Sequence, residues 1–322
     1  MSRSSIQKLD GIRENELLAK HTWFKIGGPA KYFFEAKNNQ DLVRALKAAD
    51  AAGVKRFILG GGSNVLVADS GFDGLVIKQA NKSFEIKEEE IFCESGALVT
   101  EVLAASLKAG LVGWPWAAGL PGTVGGAVRG NAGAYGQGMA DIVKEAEIYG
   151  EGKVNKLTGE EMKFSYRHSI AKEKNLVVIS ATLKLKPGDT SADEALVKKY
   201  NDHRKKTQPL ELPNAGCVFK NVDLSQVEIN QAKVKKALDI NDQEFQEATK
   251  FGKLPVSFII DRLNLKGKQI GGAQVSEKHG AFIVNTGRAK AEHVIMLISD
   301  LKMRVRNELG IQLEEEVQYV GF

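Results

Sequence analysis

Leu59-Gly-Gly-Gly-Ser-Asn-Val-Leu-Val67 sets three consecutive glycines and two small polar residues between two strand-like runs. Glycine tolerates positive φ, so successive amides in such a turn can point together at an anion. Ser63 and Asn64 add side chains that can hydrogen-bond phosphate oxygens. No Gly-Lys-Ser/Thr follows, which excludes a P-loop. A strand and not a helix follows the glycines, which excludes the Rossmann fingerprint. Taken alone, the stretch reads most simply as a tight strand–loop–strand turn.

Working outward, Lys55 to Leu59 forms the strand that enters this turn, and Val65 to Val67 and Leu75 to Ile77 are further strands. Upstream, Leu42, Val43, Leu46 and Ala49 recur at helical spacing, so Asn39 to Gly53 is a helix with Gly53 as a left-handed stop. Strand, helix and strand in this order make a small α/β unit. From Ser83 to Lys186 short β-like runs follow at Ile91 to Cys93, Glu145 to Tyr149 and Leu176 to Leu185, with one helix marked by Val99, Val102, Leu103 and Leu107. A glycine-rich stretch from Gly113 to Gly138 interrupts them, and loops of that length are usually functional. Ser191 to Lys206 is a charged helix leading to a second α/β region. There Val294, Ile295, Leu297, Ile298, Leu301 and Val305 give Ala291 to Leu309 its apolar face, Gly310 ends the helix, and Leu313 to Val320 is a terminal strand.

The 322 residues exceed one ordinary core, so two or three subdomains are expected. With 43% hydrophobic and 26% charged residues the chain has the composition of a soluble globular protein. A net charge of +5 suits an anionic substrate such as a nucleotide and is too small to argue for nucleic acid. The two cysteines, Cys93 and Cys217, show no paired metal-ligand spacing, which argues against a disulfide scaffold or a metal site and suits a reducing cytosol. The polar start from Met1 to Glu16 has no apolar signal core, and no uncharged run reaches the roughly 18 residues of a membrane span. A cytoplasmic protein is expected, with a monomer as the default.

A second glycine-rich motif, Gly119-Leu-Pro-Gly-Thr-Val-Gly-Gly-Ala127, continues to Asn131-Ala-Gly-Ala-Tyr-Gly136. So many small residues weaken a structure unless something large lies against the backbone, and a flat ring with a phosphate tail is such an object. Close packing against a neighbouring strand is the plainer alternative. Together with Thr22-Trp-Phe-Lys-Ile-Gly-Gly28, Tyr166-Arg-His-Ser169, Pro213-Asn-Ala-Gly-Cys-Val-Phe-Lys-Asn221 and Leu313-Glu-Glu-Glu-Val317, in this order, the loops resemble the UDP-N-acetylenolpyruvoylglucosamine reductase family from about His21 to the C-terminus.

That resemblance implies an α+β fold. An FAD-binding domain of the vanillyl-alcohol oxidase type, made of two α/β subdomains (residues 1–80 and 81–205), would precede an α/β substrate domain (206–322). Gly60, Gly61, Gly62, Ser63 and Asn64 would hold the FAD pyrophosphate, and Pro121, Gly122, Gly125 and Gly126 would line the flavin and its ribityl chain. No histidine lies in either loop, so non-covalent FAD is expected, with NADPH as reductant and a UDP-sugar as substrate.

Reducing an enol ether needs a hydride donor at one carbon, an acid at the other, and charge or donors to stabilise the enolate between them. The resemblance assigns Arg167, whose guanidinium is a permanently charged fork, to the enolate. It places Cys217 where the family usually has a proton-donating serine; a thiol with an ordinary pKa of about 8.5 is mostly protonated at neutral pH and can fill that role. A lone cysteine is more commonly an inert small apolar residue. Glu316 aligns with the catalytic glutamate, with Glu314 as fallback, and Glu315 stands where the family has proline. Along a strand Glu314 and Glu316 share one face. Lys220, Asn221 and Lys266 are candidate substrate contacts; His279 reads as a structural histidine ahead of a ligand contact, and Asn285 as the end of a strand. Val222 to Phe251 departs from the family pattern and reads as an inserted helical excursion on the surface.

Two other readings stay open: a flavin oxidase or dehydrogenase on the same cofactor fold, and a non-catalytic nucleotide-sugar binder.

Overall fold

The computed structural model describes residues 4–322, and the contact pattern divides the chain into two compact units. One comprises the residues through Glu16 together with Pro29–Gly62 and Phe72–Arg204. The other comprises Leu17–Gly28, Ser63–Gly71 and Lys205–Phe322.

The first unit contains two sheets. A four-stranded sheet has the order Arg13–Leu17, Pro29–Ala36, Phe72–Gln79, Arg56–Leu59. Its last three strands are parallel, with Phe33 opposite Val76 and Phe57 opposite the same Val76. Parallel neighbours need a crossover, and the helix Asn39–Ala52 supplies it. The side chain of Asn38 caps the helix start, accepting the amide of Asp41 at 2.8 Å, and Gly53 ends it at φ 61°. Leu42, Ala45, Leu46 and Ala49 pack on Tyr32, Phe34, Leu75 and Ile77.

The second sheet is five-stranded and antiparallel, in the order Lys153–Thr158, Val143–Gly150, Val177–Lys184, Glu90–Glu94, Phe84–Lys87. Along its central strand Val177 and Ile179 enter the core beside helix Asn39–Ala52, and a register irregularity between Val178 and Ser180 then switches the faces. Val178, Ala181 and Leu183 enter a second core with Val102, Leu103, Trp114 and Trp116. The sheet is therefore covered on both faces. The glycine-rich stretch that the sequence presents as one long loop is not structureless here. It contains the helix Val124–Gly130, capped by Thr123, and a two-stranded hairpin of Gly133–Ala134 and Gln137–Gly138. Glycine disfavours helix, so this helix owes its existence to tertiary bonds: the amide of Val124 donates to Ala97 and that of Gly125 to Ser95, each at 2.8 Å.

In the second unit, Asn214–Cys217, Phe282–Asn285, Ala273–Val275 and Gln269–Ile270 form an antiparallel sheet, and helix Ala291–Leu309 shares its core. Val294, Leu297, Ile298, Leu301 and Val305 are buried as expected, each worth about 1.5–3 kcal/mol relative to an exposed side chain, while Ile295 is only partly covered. Two expectations are corrected. The region 222–251 is not solvated decoration: Val222, Val234, Leu238, Ile240 and Phe245 belong to the main core, and Val222–Asp223 pairs with Lys253–Leu254 around the helices Gln231–Leu238 and Asp242–Thr249. The terminal strand covers Gln318–Val320, paired in parallel with Val65–Val67, and not the whole of 313–320. Strand pairing needs a partner of matching length, and Val65–Val67 is short.

Candidate active site

In the first unit the two glycine loops lie against each other. A Cβ on Gly61 would sit 2.7 Å from the Cα of Gly122, and one on Gly60 would sit 2.7 Å from Thr123 Oγ1. Gly125 is buried against Ser95, whose Cβ would lie 2.6 Å from an added Cβ. At these three positions the close approach of chain to chain requires glycine. Gly126 differs. It is exposed, as is Pro121, and a Cβ there would meet nothing nearer than Thr123 Oγ1 at 3.6 Å. Gly62 occupies the left-handed region at φ 69°. A tightly joined pair of loops with one open glycine face is a surface that a flat ring with a phosphate tail fits.

Arg167 is brought to the same glycine-rich stretch. Its Nη1 donates to the carbonyl of Gly133 at 3.1 Å, its guanidinium lies 5.4 Å from the centroid of the Tyr166 ring, and its own carbonyl accepts from Lys172 Nζ at 2.9 Å. Its φ of 56° is left-handed, uncommon for a long side chain and held here by this set of bonds. Next to it, Asn131 takes φ 44° and joins the segments: Nδ2 donates to Ser165 O at 2.8 Å and Oδ1 accepts the amide of Ala140 at 3.0 Å. Neither Asn131 nor Tyr135 is singled out by the sequence, although an Asn before small residues is a usable signal for a left-handed position. Burial pushes the Tyr135 hydroxyl up, and the charge of Arg204 works against that shift.

In the second unit, Cys217 ends the strand Asn214–Cys217. Asn214 pairs with Val284 and Cys217 with Phe282, so the strand carries one extra residue, a bulge that breaks the alternation and re-aims the thiol. The bulge is built by Gly216 at φ 74° and by the buried Asn214. That side chain donates to Leu212 O at 2.8 Å and accepts the Gly216 amide at 2.9 Å. A Cβ on Gly216 would lie 3.8 Å from Ser63 O, which places the Cys217 segment beside the start of Ser63–Gly71.

Glu316 runs alongside. Its amide donates to Val218 O at 2.7 Å, and its carbonyl accepts from Asn64 Nδ2 at 3.2 Å. Glu316 is thus bonded on one side to Val218, the residue after Cys217, and on the other to the Asn64 side chain, despite their separation in the chain. The neighbouring glutamates are engaged by lysines: Glu314 with Lys220 at 2.9 Å and Glu315 with Lys302 at 2.8 Å. Lys220 is therefore at this rim. Asn221 Oδ1 accepts the amide of Val256 at 3.2 Å, bracing the start of helix Val256–Arg262. Lys266 lies outside this set of bonds and pairs with Asp261 at 2.7 Å. His279 Nδ1 accepts the Ala281 amide at 3.3 Å and its ring packs edge-on against Phe282, a structural arrangement. Asn285 closes its strand, accepting the amides of Gly287 and Ala289 at 2.8 and 3.1 Å.

Residues 208–320 match the family model for the C-terminal domain of UDP-N-acetylenolpyruvoylglucosamine reductase, and residues 30–157 match an FAD binding domain. The chain is 38% identical over 314 residues to the UDP-N-acetylenolpyruvoylglucosamine reductase of Anoxybacillus flavithermus, covering 96% of this chain and 94% of that one. To the enzyme of the same name from Lachnoclostridium phytofermentans it is 37% identical over 328 residues, covering 98% and 95%. The crystal structure of UDP-N-acetylenolpyruvylglucosamine reductase from Thermus caldophilus superposes with a TM-score of 0.75 at 30% identity, over 96% of this chain and 99% of that one. With relatives this similar along almost its whole length, the chain belongs to the UDP-N-acetylenolpyruvoylglucosamine reductase family.

Proposed function

We propose that this protein reduces the enolpyruvyl ether of UDP-N-acetylglucosamine to UDP-N-acetylmuramate, using NADPH and non-covalent FAD. The observation that carries the reading is the pairing of Glu316 with the segment after Cys217, braced by Asn64 from the Gly60–Asn64 turn. A thiol and a carboxylate on adjacent segments can serve as the acid and the orienting partner that enol ether reduction requires.

FAD, when bound, would supply the hydride for C3 of the enolpyruvyl group. The amides of Gly60, Gly61 and Gly62 and the side chains of Ser63 and Asn64 would hold its pyrophosphate, and Pro121, Gly122, Gly125 and Gly126 would line the flavin and its ribityl chain. Arg167, oriented by Gly133 O, stabilises negative charge on the substrate carboxylate as the enolate develops. The Cys217 thiol gives its proton to C2. Glu316 orients the thiol and substrate, and Lys220, with Asn221 and Lys266, contacts the polar part of the substrate. Residues 1–80 and 81–205 act as the cofactor-binding halves and 206–322 as the substrate domain. The reaction is placed in the cytoplasm. No helix among the described residues is long and apolar enough to cross a membrane.

The test is optical. The purified protein is expected to be yellow, to bleach with NADPH under anaerobic conditions, and to recolour on adding the enolpyruvyl UDP-sugar. A colourless protein that still binds UDP-sugars would replace this reading with that of a nucleotide-sugar binder. Recolouring only with oxygen would replace it with that of an oxidase.

A further inference from the structure

The hairpin that holds Arg167 is strained, and the brace that holds it comes from a distant helix. Gly133 pairs with Gly138 and Ala134 with Gln137, leaving Tyr135 and Gly136 as a two-residue turn with φ of 55° and 83°. Two left-handed residues are what such a turn demands, and Asn-Gly or Gly-Gly is the usual solution. A bulky aromatic at the first position is an outlier. What the Tyr135 ring meets is Tyr200 on helix Ser191–Thr207, stacked at 3.8 Å between centroids and 12° between planes. That helix is itself seated on the glycine-rich stretch. A Cβ on Gly119 would lie 2.8 Å from Asn201 Oδ1 and 3.0 Å from Arg204 Cδ. At the hairpin base Gly133 has no room for a side chain, since a Cβ would lie 2.2 Å from Gln137 O, and its carbonyl receives Arg167 Nη1 at 3.1 Å.

We propose that Tyr200 is a positioning residue for the reduction. Its ring clamps Tyr135 in the left-handed turn, which fixes the direction of the Gly133 carbonyl and so the guanidinium of Arg167. Without the stack, Tyr135 is free to relax towards negative φ and the hairpin loses its register, so the carbonyl that orients Arg167 swings away. The inference rests on the assignment of Arg167 to the chemistry proposed above.

The full-length, FAD-loaded enzyme is assayed for kcat and for KM of the enolpyruvyl UDP-sugar. Tyr200→Ala should lower kcat about tenfold while KM stays within about twofold, and Tyr200→Phe should keep wild-type kcat, because the ring and not the hydroxyl makes the stack. Adding Tyr135→Gly to Tyr200→Ala should restore kcat, since glycine adopts positive φ without a clamp. In an Arg167→Ala background Tyr200→Ala should add less than about a twofold loss. A change in KM alone, no rescue by glycine, or an undiminished Tyr200→Ala loss on the Arg167→Ala background would each overturn the clamp. Full activity of Arg167→Ala would instead overturn the role given to Arg167. In that case a fluorine NMR line from 3-fluorotyrosine at position 135 should still move on Tyr200→Ala if the stack holds the turn, and an unmoved line would remove the clamp as well.

Discussion

The two cysteines occupy opposite kinds of place. Cys93 lies in the middle of a strand of the five-stranded sheet, paired with Ala181 on one side and Phe84 on the other. It is wholly buried, and burial pushes its thiol up to about 12. Cys217 ends its strand after a bulge, half-buried, with the left-handed Gly216 before it and the Glu316 segment bonded to the residue after it. The first site uses sulfur as a small apolar filler. The second departs from regular strand geometry, at the bulge that Gly216 builds. Residue type does not separate the two cysteines; burial and local backbone do.

The largest expected effect breaks the comparison if it fails. Cys217→Ala should lower kcat about 1000-fold, the scale of a lost general acid, while Cys217→Ser should retain substantial turnover, both read in steady-state assays. Full activity of the alanine variant would remove Cys217 from the mechanism and make the two thiols equivalent. The next effect tests the core behind Cys217. Phe245→Ala, in the region that the sequence presents as decoration, should cost about 3–5 kcal/mol in denaturant melts, because Phe245 shares a core with Val218. A loss under about 0.5 kcal/mol would return that region to the surface.

The smallest effect sharpens the contrast from the other side. Cys93→Ala should leave kcat within about twofold and cost roughly 1–2 kcal/mol of stability at neutral pH. The sign of its pH dependence is fixed. The folded thiol is pushed up to about 12, well above its ordinary range, so its contribution is complete below about pH 8.5 and is lost as pH rises towards 12. The stability gap between wild type and variant should therefore narrow between about pH 8 and about pH 11, and a gap that widens would contradict the buried neutral thiol.

Helix Ala291–Leu309 was legible to the residue because its apolar positions repeat over five turns and Gly310 stops it at φ 76°. Helix Asn39–Ala52 was legible for the same reason. Helix Val124–Gly130 was not, since Val-Gly-Gly-Ala-Val-Arg-Gly has poor helix propensity and is held by bonds to Ala97 and Ser95. The burial of Val234, Leu238 and Phe245 was equally hidden, because two eight-residue helices with few apolar positions look solvated until a partner core is supplied.

By itself the sequence determined the order of the glycine and polar motifs, the long amphipathic helices and the family, because these depend on local periodicity and on residue identities read in a line. Only the tertiary structure decided which glycines serve chain packing and which face open space, which glutamates are held by lysines, and that the main chains beside Cys217 and at Glu316 are bonded. Those outcomes depend on bulges, short strand registers and contacts between segments far apart in the chain, and such long-range closures leave no periodic trace in the residues that make them.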